Sequence, residues 1–217
     1  MQTLHRSRRS GFTLVELAIV ALLISVLMAA IGLFESTNRQ TIEQSSALGT
    51  AQGQAHAMME RVLREIGGAS TSTLVPDPIS AQGSDEIVFQ KSTGVTNAGD
   101  VVWSTRTRIA LEPEDGETLD GTDENHNGLV DECKLVVTHD FGTPAARTLV
   151  LGHRLPAHFP GETTNGADDN GNGVTDERGF NVQRVGNLLR VRLASQVRGT
   201  GRNWVMWQED SSLRLRN

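Results

Sequence analysis

The sequence predicts an α+β fold in which a long N-terminal, membrane-spanning helix packs on a head of antiparallel β-strands. Three observations support this prediction. Residues 17–34 form an apolar run long enough to cross a hydrocarbon core as a helix, and an amphipathic helical pattern continues from it to residue 66. Beyond residue 68, short apolar segments alternate with turn residues. A helix followed only by strands favours the α+β class, because a sheet can then cover the helix.

The composition fits one domain with appendages. The chain has 217 residues, a net charge of -6 and 4% aromatic residues. Its single cysteine, Cys133, excludes an internal disulfide framework and a cysteine-based zinc site. Because the net charge is acidic, we expect no nucleic acid among the partners of this protein.

The apolar run 17–34 contains one clearly polar residue, Ser25, with basic residues before it and Glu35 after it. The positive-inside rule therefore places the N-terminus in the cytoplasm and the rest of the chain across the membrane. A secretory signal peptide cleaved near Ala30 is the alternative. The length of the run and the carboxylate of Glu16 within the apolar segment favour a retained span, because a carboxylate in lipid is costly and usually functional.

The segment before the apolar run carries a specific motif. Residues 8–17, with the sequence RRSGFTLVEL, resemble the class III leader of type IV prepilins and pseudopilins. The resemblance implies that a prepilin peptidase cuts between Gly11 and Phe12, removes residues 1–11 and methylates the new amino group. It also implies that the carboxylate of Glu16 pairs with the N-terminal amine of a neighbouring subunit, which neutralises both charges in lipid.

The same resemblance implies a location and partners. The protein would be a single-pass component of the bacterial inner membrane, with its N-terminus in the cytoplasm, its head in the periplasm and the filament tip as a candidate position. Its partners would be the prepilin peptidase, other pilins or pseudopilins, the inner-membrane assembly platform and membrane lipid.

The helix is predicted to have a transmembrane half, residues 12–34, and an amphipathic half, residues 35–68. Gly67 and Gly68 provide the stop signal, and any loosening is expected near Gly32 or residues 36–38. The stripe that should face the sheet recurs at spacings of three and four residues: Leu48, Ala51, Ala55, Met58, Val62 and Ile66.

Residues 69–217 are predicted to form the β-rich head. Alternation of apolar and charged residues is clearest at residues 189–193 and 213–216. The predicted strands are 86–90, 101–111, 134–139, 147–151, 188–194, 204–207 and 213–216. Residues 57–66 and 213–217 resemble J-type minor pseudopilins and W-type minor pilins, which implies a minor subunit.

Two acidic segments interrupt the predicted strands. Residues 112–132 carry nine carboxylates and residues 162–177 carry five, neither with a lysine or arginine, which leaves twelve carboxylates against twenty basic residues elsewhere. Such closely placed like charges repel one another unless a cation neutralises them. Residues 117–132 and 162–177 also repeat one pattern, D-x-N-x-N-G-x-x-D-E, at an offset of 45 residues.

The repeated pattern resembles the first nine positions of an EF-hand loop, which implies a calcium site in each segment. In the first segment the ligands would be Asp123, Asn125, Asn127, the Leu129 carbonyl and Asp131. In the second segment they would be Asp168, Asn170, Asn172, the Val174 carbonyl and Asp176. Calcium is favoured over magnesium because such a flexible loop offers many oxygen atoms.

The pattern departs from an EF-hand at loop position twelve, where Lys134 and Gly179 replace the bidentate glutamate. The candidates for the missing ligand are Glu132 and Glu177, or Asp120 and Asn165. Without a cation, both segments would be solvated Asn-Gly turns between strands. That alternative explains the glycines but not the repeated spacing of four oxygen-bearing side chains.

The sequence contains no recognisable catalytic constellation, so we expect a structural protein rather than an enzyme. The leading hypothesis is a minor pilin or pseudopilin that initiates or caps a type IV pilus-like or type II secretion filament, with a head stabilised by calcium. The alternative is a calcium-dependent tip adhesin or substrate-binding module on such a filament. A membrane-tethered periplasmic enzyme is a third, disfavoured class.

Overall fold

The structure, a computed structural model, describes residues 13–76, 83–199, 201 and 203–215. The predicted processing site, Gly11 and Phe12, lies outside the described residues. The chain divides into two compact units, Met1–Glu43 and Gln44–Asn217.

Helix α1 (Leu14–Ile66) contains 53 residues and confirms the predicted long N-terminal helix. Helical conformation continues through Gly32 and residues 36–38, where loosening was expected. The end of the helix follows the sequence signal. The Gly67 amide donates to the Leu63 carbonyl at 2.8 Å, and Gly68 adopts a left-handed φ of 91° that favours glycine.

Within the first unit, α1 is apolar and exposed. By length and composition it is the one described helix that could cross a membrane, and no part of its most apolar window is buried in the structure. The side chains of Ile19 and Leu23 are 53% and 63% exposed. An apolar surface of this extent requires lipid or other apolar helices around it.

Within the second unit, the remaining half of α1 buries one stripe, which consists of Ala47, Ala51, Ala55, Met58, Met59, Val62 and Ile66. All residues predicted for this stripe are buried except Leu48, which is 40% exposed. Ala47, one residue earlier, takes the inward position at the N-terminal end of the stripe because it lies four residues before Ala51.

Nine strands follow the helix in the described part of the head. They are β1 (Glu86–Phe89), β2 (Ser92–Val95), β3 (Val101–Trp103), β4 (Thr107–Pro113), β5 (Glu132–His139), β6 (Arg147–Pro156), β7 (Phe180–Val185), β8 (Leu188–Arg198) and β9 (Trp204–Arg214). They form three antiparallel sheets with the strand orders β1-β4-β5-β6, β2-β3 and β7-β8-β9. The long helix and the antiparallel sheets confirm the predicted α+β class.

The predicted strand 101–111 is in fact two strands, β3 and β4. Residues 104–106 separate the two strands. The Ser104 hydroxyl accepts the Lys91 amide at 2.9 Å and its carbonyl accepts the Gln90 side-chain amide at 2.6 Å, which ties Ser104 to the residues between β1 and β2. The exposed strand β2, which pairs with β3, was not predicted.

The two strands predicted at residues 204–207 and 213–216 are one strand, β9. It pairs with β8 along its whole length, from Trp204 opposite Arg198 to Arg214 opposite Leu188. This long pairing holds the polar middle of β9 in the sheet, although its sequence alone does not indicate a strand. Strand β7, on the other side of β8, was also not predicted.

The hydrophobic core lies between the buried stripe of α1 and the inner faces of the four-stranded and three-stranded sheets. Its fully buried large side chains include Phe89, Ile109, Leu135, Leu155, Phe180, Leu189 and Leu193. One close approach sets the spacing of the helix and β6. A Cβ at Gly152 would lie 1.9 Å from the sulfur of Met58, so a larger residue there would require the Met58 side chain to move. Arg61 strengthens the same contact by donating to the Leu151 carbonyl at 2.7 Å.

Candidate assembly segment and cation loops

The start of α1 is closed by Thr13 and Glu16. The amide and hydroxyl of Thr13 donate to the Glu16 carboxylate at 2.9 and 3.0 Å, and the Glu16 amide donates to the Thr13 hydroxyl at 3.3 Å. This reciprocal pair is a capping box, which satisfies amides that have no partner within the helix. Sequence reasoning missed this cap, although the T-x-x-E spacing indicates one. Pairing of Glu16 with a neighbouring subunit stays a prediction.

The head contains two acidic loops that are closed in the same way at their bases. The first acidic loop, residues 114–132, joins β4 to β5, and the second acidic loop, residues 159–177, joins β6 to β7. Each loop is closed at its base by an antiparallel pair. The pairs are Pro113 with Cys133 and His158 with Arg178. The repeat therefore extends beyond the predicted segments to the residues that anchor the loops.

The first aspartate of each pattern closes a turn. Asp123 accepts the amides of Asn127 and Gly128 at 3.1 and 2.8 Å, and Asp168 accepts the equivalent amides of residues 172–173 at the same distances. These bonds reach the amides four and five residues after the aspartate, farther than the two residues of an Asx turn, and they form without a cation. This part of the geometry agrees with either interpretation of the loops.

Three of the predicted ligands meet in the first acidic loop. The side-chain amides of Asn125 and Asn127 both donate to the Oε1 atom of Glu132, the former at 2.8 Å. In the second acidic loop, Asn172 donates in the same way to Glu177 at 2.6 Å. Asn170, the equivalent of Asn125, differs, because its side-chain amide donates to the Pro160 carbonyl at 3.4 Å.

The remaining predicted ligands bond to the backbone elsewhere in each loop. Asp131 accepts the Gly121 amide at 2.9 Å, and Asp120 accepts the Thr122 amide at 3.1 Å. In the second acidic loop, Asp176 accepts the Gly166 amide at 2.9 Å and Asn165 accepts the Ala167 amide at 2.7 Å.

The residues predicted to bind through their carbonyls, Leu129 and Val174, have buried side chains.

Buried glutamates dominate the electrostatics of both loops. Glu132 and Glu177 are fully buried, and Glu117 and Glu162 are only 6% and 5% exposed. Among the described residues, one carboxylate oxygen of each of Glu117, Glu132 and Glu162 has no hydrogen-bond partner. Burial raises the pKa of the Glu117 carboxyl, and the nearby charge of Glu132 adds to this shift. By contrast, hydrogen bonds from neighbouring threonines lower the pKa of the less buried Glu124 to about 2.

Glu117 and Glu162 were not predicted as ligands. They lie six residues before the first aspartate of each pattern, outside the part that resembles an EF-hand. Their structural roles are nevertheless identical. Glu117 accepts the Asn125 amide and Glu162 accepts the Asn170 amide, both at 2.9 Å. The repeat of glutamate at the same offset was the only signal in the sequence that could have identified them.

The described residues contain no group of three or more histidine, cysteine, aspartate or glutamate side chains arranged to hold a metal ion. The predicted calcium ligands also include asparagine and backbone oxygens, which such a group does not count. The donors are all oxygen atoms, and the buried glutamates have unused lone pairs, so the chemistry fits a hard cation such as calcium. Calcium binding stays a prediction.

Cys133, at the base of the first acidic loop, is fully buried. Burial raises the pKa of its thiol to about 11. The thiol is therefore protonated at neutral pH, which favours a packing role over a reactive one.

Comparison with known families identifies the N-terminal motif. The family described as the prokaryotic N-terminal methylation motif matches residues 6–32. No curated protein and no solved structure matches the chain. The matched residues include Gly11, Phe12 and Glu16, and the match supports the predicted type IV pilin-like leader. Together with the exposed apolar half of α1, it supports a membrane-anchored, single-pass protein.

Proposed function

We propose that the protein is a minor pilin or pseudopilin, a structural subunit that initiates or caps a type IV pilus-like or type II secretion filament. The observation that carries this proposal is the methylation motif at residues 6–32, which runs into a helix whose most apolar window is wholly exposed. The resemblance of residues 57–66 and 213–217 to minor subunits favours a minor over a major role. A structural rather than catalytic role is part of the proposal.

Maturation prepares the N-terminus for assembly. A prepilin peptidase cleaves between Gly11 and Phe12 and methylates the new amine. Gly11 suits this cleavage because it leaves one side of the scissile bond without a side chain. The helix stays in the inner membrane with its N-terminus in the cytoplasm and its head in the periplasm, because basic residues precede the apolar run.

Assembly replaces lipid around the helix with other helices. The assembly platform extracts the subunit, and the exposed apolar side chains of α1 pack against the N-terminal helices of other pilins or pseudopilins. The Glu16 carboxylate then pairs with the amine of a neighbouring subunit, which removes two isolated charges from an apolar environment. The capping box with Thr13 holds this carboxylate beside the first turn of the helix.

Calcium stabilises the head by neutralising the two acidic loops. When bound, the cation supplies the positive charge that the loop sequences lack. In the first acidic loop, Asn125, Asn127 and Glu132 are already together and would hold the cation with Asp123. In the second acidic loop, the equivalent residues would do so. Because each loop joins two strands, its stabilisation also stabilises the sheets at its base.

A calcium-dependent tip adhesin or substrate-binding module is the second candidate function. A cavity of about 560 Å³ lies in the head beside the first acidic loop, and its lining includes Met58, Arg61, Asn127, His153 and Arg154. Asn127 belongs to both the cavity and the predicted calcium site. A ligand in this cavity would therefore depend on calcium, and binding rather than filament initiation would be the main function.

Co-purification distinguishes these functions. The full chain, leader included, is expressed in its native host, and filaments or pseudopilin complexes are isolated by shearing and by cross-linking in the membrane. A minor subunit should co-purify with other pilins, and its deletion should reduce the number of filaments. A tip adhesin should leave filament number normal and abolish adhesion. Absence from every pilin complex would contradict both functions.

A further inference from the structure

The two acidic loops have several backbone hydrogen bonds in common, but they differ in the charge beside their buried glutamates. In the second acidic loop, the Nη1 atom of Arg192 lies 3.2 and 3.3 Å from the two carboxylate oxygens of Glu177. The side chain of Arg192 is 8% exposed, and its Nε atom also lies 3.4 Å from Asp210. The second acidic loop therefore contains a positive charge supplied by β8.

The first acidic loop has no equivalent of Arg192 among the described residues. Lys134, the nearest basic residue in sequence, forms its ion pair with the exposed Asp115 instead of Glu132. Arg198 lies close to Gly128, where an added Cβ would be 2.6 Å from its Nη1 atom, but it is exposed and forms no ion pair with the described carboxylates of the loop. Within the described part of the chain, Glu132 therefore has hydrogen bonds but no ion pair.

Two buried carboxylates of the first acidic loop, those of Glu117 and Glu132, share Asn125 as a hydrogen-bond donor. The backbone amide of Asn125 donates to Oε1 of Glu117, and its side-chain amide donates to Oε1 of Glu132. Within the described chain, the Oε2 atoms of both glutamates are buried and without a hydrogen-bond partner. Burial of two carboxylates with unused oxygens is strongly unfavourable, and a divalent cation between them would neutralise both charges.

We propose that the first acidic loop is the high-affinity calcium site, with Glu117 and Glu132 as charged ligands beside Asp123, and that the second acidic loop binds calcium more weakly. This inference rests on the calcium binding proposed above. Glu117 then supplies, from the N-terminal side, the carboxylate that Lys134 cannot supply at loop position twelve. In the second acidic loop, Arg192 already neutralises Glu177 and repels an incoming cation.

Calcium titration by calorimetry tests this order of affinity. The full chain is purified in detergent, treated with a chelator and titrated with calcium. We expect two binding steps whose dissociation constants differ by at least about tenfold, because calcium affinity follows the charge of the ligand set. The isosteric substitutions Glu117→Gln and Glu132→Gln should each weaken the tight step by at least about 10-fold, because loss of even an outer-shell partner of a metal ligand costs about that much.

The repeat provides matched controls for both substitutions. Glu162→Gln and Glu177→Gln change the same positions of the second acidic loop and should leave the tight step unchanged. Arg192→Gln should tighten the weak step and enlarge the rise in melting temperature that calcium produces. A purely structural role of Arg192 would lower the melting temperature without tightening calcium binding. Circular dichroism of each variant in calcium checks that the head is folded.

Four outcomes would overturn the inference. Equal dissociation constants for the two loops, or equal effects of Glu177→Gln and Glu132→Gln, would overturn it and leave calcium binding in place. Unchanged calcium affinity in the Arg192→Gln variant would remove the reason for the difference. No heat of binding at either loop would overturn both this inference and the calcium part of the proposed function. None of these results depends on whether the protein enters a filament.

Discussion

The two halves of α1 have the same backbone geometry but opposite surroundings. Over residues 14–43 no helical residue is buried, whereas residues 44–66 bury seven. The first half is apolar on every side through residue 34, and the second half has one apolar stripe among polar residues. A helix that is apolar all round needs an apolar environment on every side, while a single stripe needs only one sheet.

This difference separates the residues that fold the head from those that anchor and assemble the protein. The stripe of the second half belongs to the core of the head, so its substitution should change the stability of the head. The first half contributes nothing to that core. Its substitution should change membrane insertion, processing or incorporation into a filament.

The largest effect is expected where the leader meets the helix. Gly11→Asp should abolish processing, because it places a charged side chain at the scissile bond, and Ser10→Ala should be processed normally. Mass spectrometry of the purified protein measures the new N-terminus, which should be methylated Phe12. Cleavage near Ala30, as in a secretory signal peptide, would remove most of the apolar half of α1. That result would contradict membrane anchoring by this half of the helix.

Matched isoleucine substitutions in the two halves of α1 test directly whether only the second half stabilises the head. Ile66 is fully buried and Ile24 is 53% exposed. Ile66→Ala should destabilise the head by about 2 to 5 kcal/mol, because it removes buried methyl groups and leaves a cavity. Ile24→Ala should change the stability of the head by less than about 0.5 kcal/mol. Thermal unfolding of the full chain in detergent measures both, and equal losses would show that the two halves are not distinct.

The sequence was most informative where one short-range rule decides the structure. The apolar run, the stripe of α1 and the stop at Gly67 all follow from helical periodicity and glycine chemistry, and the structure has each of them. The strands were harder to predict. The middle of β9 is polar, and it is a strand because β8 lies beside it, which is a long-range effect that local alternation does not contain.

The acidic loops show the same limit at the level of a site. The repeated spacing predicted Asp123, Asp168 and the asparagines that follow them as candidate ligands. It could not show that Glu117 and Glu162 are buried, because burial depends on how the loop folds back over its base. Nor could it show that Arg192, fifteen residues after Glu177, lies beside only one of the two loops. Both facts come from tertiary packing.

Calcium should distinguish the head from the first half of α1, because we expect it to act on the head alone. With dissociation constants about tenfold apart and centred on the order of 0.1 mM, about 1 mM calcium would stabilise the head by roughly 2 kcal/mol through the first acidic loop and roughly 1 kcal/mol through the second. Each kcal/mol moves the melting temperature of a domain of this size by about 2 to 4 °C, so calcium and chelator samples should differ by roughly 6 to 12 °C.

Variants assign this shift to the loops. Asp123→Ala should remove more of it than Asp168→Ala, and Asp100→Ala, outside both loops, should remove none. Magnesium should substitute poorly for calcium, because it demands a more rigid octahedral site. Identical melting curves in calcium and in chelator would identify the loops as turns without a cation. The leader would be unaffected by that result, since it rests on residues 6–32.

A small and local effect on stability is expected at the start of α1, where Glu16 has two possible roles. Thr13→Val removes the hydroxyl of the capping box and should destabilise the first turn by about 1 kcal/mol.

Glu16→Gln preserves the box, since glutamine can replace glutamate in it, but removes the charge that would pair with a neighbouring amine. Glu16→Gln should therefore insert into the membrane at least as well as the natural chain and yet incorporate poorly into filaments. Quantification of each variant in membrane and sheared-filament fractions measures both steps. Normal incorporation of Glu16→Gln, with a loss in both Glu16→Val and Thr13→Val, would assign Glu16 to the helix cap and exclude the pairing role.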